Sequence, residues 1–164
     1  MTGKKNTGIC SIELLGLQDA ALPEYMRKEQ LQALQNLMAE SSFQPRNDNN
    51  GPYDVKLSIE ESRLLIRMKN ADAEDIGMLA LSLTPYRRII QDYFLMLDSY
   101  EKARQVATKE KLEAIDMGRR GIHNEGAELL QRRLEDKIEM DHETARKLFT
   151  LICTLHKVHV RLAG

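Results

Sequence analysis

Three runs between residues 53 and 83 alternate apolar and polar side chains and are joined by links of only a few residues. Nothing else in the sequence restricts the fold as much. Val55, Leu57 and Ile59 alternate with Asp54, Lys56 and Ser58, the period-two pattern of a strand buried on one face. Glu60-Glu61-Ser62 makes a turn, and residues 63–69 alternate again through Leu64, Ile66 and Met68. Asn70 to Asp75 is a polar loop. The run 76–83 places Ile76, Met78, Ala80 and Ser82 on one face and Leu79, Leu81 and Leu83 on the other. Two apolar faces read as a central strand, or one covered by helices. A parallel crossover needs a dozen or more residues, so these three runs form an antiparallel meander. Residues 9–15 (ICSIELL) read as a further, first strand.

The period then changes. Thr84-Pro85 is a helix start, with an N-cap hydroxyl followed by Pro at the first helical position. Tyr86, Ile89, Ile90, Tyr93, Leu97 and Tyr100 follow at spacings of three and four. A second helix begins near Thr108 and runs toward Ile138, and a third begins at Asp141 with a D-x-x-T cap. Earlier, Pro23 to about Ser41 reads as a helix closed by Phe43 and Pro45. Strands grouped before helices indicate an α+β fold rather than a doubly wound one. The expectation is an α+β domain over residues 1–164 with a small, mainly antiparallel sheet of three to four strands. One N-terminal helix and three C-terminal helices pack on it, and residues 1–8 are read as disordered.

A chain of 164 residues with 42% apolar and 30% charged residues has the size and composition of one globular domain. It needs no disulfide or metal staple. Cys10 and Cys153 show no motif spacing and read as buried, reduced thiols. The start, MTGKKNTG, has no apolar stretch of a signal peptide behind it, and no window approaches a membrane span. The expected location is the cytoplasm. The net charge of −1 disfavours broad binding to nucleic acid. No metal and no cofactor is expected, because Cys153-x-x-His156 with His159 lacks a second ligand pair. His142 reads as a surface residue. P-loop, dinucleotide-binding, zinc-protease and nucleophile-elbow signatures are absent.

The most unusual segment is IDMGRRGIHNEGAELL, residues 115–130. Each interior glycine costs a helix about 1 kcal/mol relative to alanine, so Gly118, Gly121 and Gly126 need a reason. At helical spacing Ile115, Arg119, Ile122, Gly126 and Leu129 share a face, with Asp116 and His123 on its border. A polar cluster of Asp116, Arg119, Arg120 and His123 is the result. It is either a packing device or an anion site with His123 and Asp116 as acid/base candidates. Arg87 and Arg88, in the first turn after Thr84-Pro85, oppose the helix dipole; they read either as solvated arginines at a helix start or as a sign of a partner carboxylate or a bound anion.

The segments GPYDVKLSIEESRLLI (51–66), LSLTPYRRIIQDYF (81–94), AIDMGRRGIHNEGAELL (114–130) and TARKLFTLICTLH (144–156) resemble, in this order, a bacterial family known as uncharacterised protein family zero-two-six-two. The likeness spans residues 9–157. It implies a bacterial, cytoplasmic protein, and it implies no activity, cofactor, partner or site residue. Two functional readings stand beside it. The first is a protein-interaction or regulatory module acting through the helical half, its partner another protein or a structured RNA. The second is a small enzyme or ligand-binding protein for an anionic or phosphorylated molecule. The first expects an exposed apolar patch; the second expects a concavity where Arg87 or Arg88 meets Arg119 or Arg120.

Overall fold

The structure is a computed structural model that describes residues 7–16 and 22–163, with side chains described as far as residue 158. The alternating runs become β3 (Tyr53–Glu60), β4 (Arg63–Lys69) and β5 (Asp75–Ser82). Tyr53, Val55, Leu57 and Ile59 all point into the core from β3, and Leu64, Ile66 and Met68 join them from β4. The β3–β4 hairpin turns through Glu61 and Ser62, both at positive φ (50° and 64°), as a two-residue loop requires. The β3–β4 and β4–β5 pairs are antiparallel. The first strand, β1 (Ile9–Leu14), pairs in parallel with β3, so the sheet is mixed, in the order β1-β3-β4-β5. The helix α1 (Glu24–Ala39) lies between β1 and β3 in the chain and supplies the length a parallel connection needs.

Two readings of the sheet need correction. The run 76–83 does not form a central strand: β5 is an edge. Its inner side chains Leu79 and Leu81 meet Ile66 and Leu64, but the outer face is left uncovered and Met78 is 45% exposed. A second, two-stranded ribbon was not legible. It pairs β2 (Phe43–Pro45) with β6 (Ile138–Met140), antiparallel, and three residues are too few to show a period.

The helical half comprises α2 (Arg87–Ala103), α3 (Lys109–Leu134) and α4 (His142–Ala163). Thr84 does not cap α2. Residues 84–86 form one tight 3-10 turn with no side-chain cap, and the α-helix follows from Arg87. The other two starts are as the sequence indicates. Thr108 Oγ1 accepts from the Lys111 N–H at 3.2 Å, and an Asp141 carboxylate oxygen accepts from the Thr144 N–H at 2.9 Å. Ala145, Phe149, Leu151, Ile152 and Cys153 are all buried along α4, which packs against α1, α3 and β3. The core is mainly aliphatic, with Tyr53, Tyr86, Tyr93, Phe43 and Phe149 fully buried. Of the two thiols, both read as buried from the sequence, Cys153 is buried but Cys10 is exposed on β1.

Residues 1–6 lie outside the described residues. Gly8, read as part of a disordered start, is buried. Its N–H donates to Phe43 O at 3.0 Å and its C=O accepts from the Tyr53 N–H at 2.9 Å.

Candidate functional site

The glycine-punctuated segment is one unbroken helix. α3 runs through Gly118 and Gly121 without a break, so no new helix N-terminus exists there to attract an anion. Its buried residues are His123, Gly126, Ala127, Leu130 and Leu134. The stripe is therefore rotated from the one read in the sequence. Ile115, Ile122 and Leu129 are only half-buried, and His123 lies inside the interface rather than on its border. Gly126 explains the rotation. A Cβ placed there would lie 2.5–2.6 Å from three ring atoms of Phe149, so only a bare backbone admits the aromatic ring of α4.

One turn toward the N-terminus, three helices meet at Glu29 of α1. One of its carboxylate oxygens accepts from the Tyr93 hydroxyl of α2 at 3.3 Å. The other accepts from Arg119 of α3 at 3.2 Å. Arg119 also donates to Asp116 at 2.8 Å and lies 5.6 Å over the Tyr100 ring, a cation–π contact. Asp116 takes a second arginine, Arg120, at 3.0 Å. The hydrogen bond from Arg119 outweighs burial and holds the Asp116 carboxyl below the usual carboxylate range. Burial works against the Arg119 charge, yet Asp116 and Glu29 leave that charge more firmly held than in water. Asp116, Arg119 and Arg120 are thus brought together, with Glu29 as the member that sequence spacing could not supply.

His123 sits behind this cluster. Its ring centroid is 5.0 Å from Tyr93 and 6.4 Å from Phe149. Nε2 lies 3.2 Å from Thr150 Oγ1, and that hydroxyl donates its single proton to Arg146 O at 3.2 Å. The Thr150 oxygen is therefore left to accept, which assigns the proton to Nε2 and leaves Nδ1 bare. Burial, aided by the positive fields of Arg146 and Arg119, pushes His123 down to about 4. At neutral pH the imidazole is uncharged: it can accept a proton or a hydrogen bond, and it adds no positive charge to an anion clamp.

The first-turn arginines lie elsewhere. Arg88 pairs with Asp92 at 2.8 Å and with Glu125 of α3; this is the carboxylate its position on the helix dipole called for. Arg87 is exposed. Arg88 and Arg119 share no partner, and neither arginine pair lines the cleft at His123. That cleft, about 220 Å³ between α1, α3 and α4, is lined instead by Glu29, Asn36, His123, Arg146, Lys147 and Thr150, among others. Arg146 is partly spoken for by Glu143, at 3.1 Å. Arg146, Lys147 and Thr150 were not singled out from the sequence. Arg146 and Lys147 had one signal, the polar T-A-R-K start of an otherwise apolar helix, and Thr150 had none.

A larger concavity opens toward the C-terminal end of α4. About 810 Å³ in volume, it is walled by Tyr25 and Met26 of α1, Ile90, Phe94 and Leu95 of α2, and His156 of α4. Leu95 is 66% exposed. Asp98 and Lys157 stand at its rim, Asp98 accepting from the Tyr25 hydroxyl at 3.2 Å and Lys157 lying 5.2 Å over the Phe94 ring. Among the described residues no group of three or more His, Cys, Asp or Glu side chains could hold a metal ion, and no helix is long and apolar enough to cross a membrane.

Comparison with known proteins gives one consistent answer. The family described as Uncharacterised protein family (UPF0262) matches residues 6–158. A UPF0262 protein of Brucella anthropi is 47% identical over 152 residues, covering 92% of this chain and 94% of that protein. UPF0262 proteins of Brucella canis and Brucella suis are each 45% identical over the same length and coverage. No solved structure matches the chain.

Proposed function

The chain belongs to the uncharacterised protein family UPF0262, and we propose that it is a cytoplasmic protein-interaction module whose helical half receives an amphipathic helix of a partner protein. The observation that carries this reading is the apolar groove between α1, α2 and α4, with Leu95 two-thirds exposed beside Phe94. Along α2 the groove runs from Ile90 to Asp98, eight residue steps, or about 12 Å at helical rise. That length suits two turns of a docked helix carrying apolar side chains at i, i+3 or i+4, and i+7. At the rim Asp98 is already paired with Lys102 at 3.0 Å, so the Lys157 ammonium is the rim charge left for an acid on the partner helix. The cytoplasmic location is supported by the two free thiols, one of them exposed.

The alternative, a site for a small anionic or phosphorylated molecule, is favoured by one feature, the pairing of Lys147 with Arg146 in the cleft at His123. Against it, Arg87, Arg88, Arg119 and Arg120 do not line that cleft, and the imidazole is neutral.

A photo-crosslinking residue at Leu95 in cells separates the two. A discrete adduct is expected whose attached peptide is an amphipathic helical segment, with none when the same residue replaces the exposed Lys109. No adduct at Leu95, or equal adducts at both positions, defeats the reading. A melting temperature raised by phosphate in the wild type but not in Lys147→Ala would favour the alternative.

A further inference from the structure

We infer that β5 is a self-pairing edge, and that two copies of this chain join antiparallel along it, about a two-fold axis at Leu79, into one continuous sheet. This goes beyond the groove and does not depend on it.

The backbone directions follow from the hairpin. Glu60 pairs with Arg63 across a two-residue turn, so these residues exchange hydrogen bonds, as the flanking pair of such a hairpin does. The direction of N–H and C=O alternates along a strand. Leu64, Ile66 and Met68 of β4 therefore turn their backbone groups toward β5, where they meet Leu81, Leu79 and Gly77. Met78 and Ala80 must point theirs away from the sheet. The carbonyl of Ile76 agrees with this phase, since it faces outward and accepts from the Asn47 side-chain amide at 2.8 Å. Beyond that cap, no strand among the described residues pairs with the outward edge at Met78 and Ala80.

Natural edge strands are usually blunted by lysine, proline or an inward charge. From Ile76 to Leu83 there is no charged residue and no proline. Met78, on the outer face, is 45% exposed. Such a strand is built to be paired.

The sequence of β5 suits a second copy of itself. A two-fold at Leu79 sets Met78 opposite Ala80 of the second copy, and the reverse, so a long side chain faces a short one at both places. These are the residues whose backbone groups point outward, so the two pairs form four hydrogen bonds. Leu79 faces its own copy as the close, non-hydrogen-bonded pair. The Asn47 amide on the Ile76 carbonyl ends the pairing on that side, so the shared segment is centred on residues 78–80. Shifting the axis to Met78 would oppose two long methionines.

Light scattering after gel filtration, on the full chain over a range of concentrations, tests the proposal. The wild type is expected at twice the 18.8 kDa chain mass. Ala80→Pro and Met78→Lys should each halve the mass while leaving the circular dichroism of a folded chain unchanged, and their melting temperatures should lose any dependence on protein concentration. Proline at Ala80 removes an outward N–H and no bond to β4. In a Cys10→Ser background, Leu79→Cys should form an intermolecular disulfide on mild oxidation and Ala80→Cys should not. Only the close pair brings two Cα atoms within the 4.4–6.8 Å span of a disulfide. A monomeric wild type at every concentration, folded edge variants that remain dimers, or cross-linking at position 80 instead of 79 would each overturn it.

Discussion

Replacing Gly126 by valine should destabilise the protein by about 3 kcal/mol or more, a fall of roughly 6–12 °C in melting temperature for a chain of this size. The magnitude rests on where the clash falls. Even the first carbon would sit 2.5–2.6 Å from the Phe149 ring, and Phe149 cannot retreat because it is fully buried and held edge-on by Tyr93 at 6.1 Å. Gly121 provides the contrast. Nothing lies within 4 Å of a Cβ there, so Gly121→Ala should stabilise by up to about 1 kcal/mol through helix propensity alone. At Gly118 the added carbon would meet only the flexible end of Met96. Thermal unfolding of the three variants reads the order directly; equal effects at Gly121 and Gly126 would refute the packing account.

Acidification from pH 6.5 to 4 should cost roughly 3 kcal/mol through His123 alone. The sign follows from where the proton binds. In the unfolded chain the imidazole takes it near its ordinary value of 6.5, and in the folded protein only at about 4. Between those values the unfolded state binds more protons, so stability falls as pH falls. The groups facing the ring set the size of the effect: Arg146 and Arg119 oppose a charge there, and Asp116 opposes them weakly. Asp116 and Asp98, whose carboxyls are held below the usual value, lose their contributions only at lower pH, so the upper window belongs to the histidine. Melting temperature measured from pH 7 to 4.5 should slope in the wild type and flatten in His123→Gln. An unchanged slope in that variant would assign the effect to other groups.

The sheet was legible where a strand has one wet face and one dry face, as in β3 and β4. It was misread at β5 because two apolar faces carry the same pattern whether a strand is central or is an edge awaiting a partner. The parallel placement of β1 was hidden because periodicity says nothing about direction. Helix starts were legible where a side chain does the capping, at Thr108 and Asp141, and not at Thr84, where the chain tightens into a 3-10 turn instead. In the site, spacing along one helix found Asp116 with Arg119 and Arg120. It could not find Glu29, which comes from another helix about ninety residues earlier, nor foresee that Gly126 rotates the buried stripe and draws His123 inside.

The small ribbon of β2 and β6 is a long-range clasp that costs more loop entropy than the meander beside it. It joins Phe43 to Met140, residues separated by 140 − 43 = 97 positions, whereas the β3–β4–β5 meander closes through loops of a few residues. Entropy of loop closure grows with separation, and contacts distant in sequence slow folding. The meander and the individual helices can therefore form while the ribbon is still open. The return of the α3–α4 corner to the segment after α1 is, with the packing of α4 on α1, among the contacts that close the longest loops, and it locks the first third of the chain to the last.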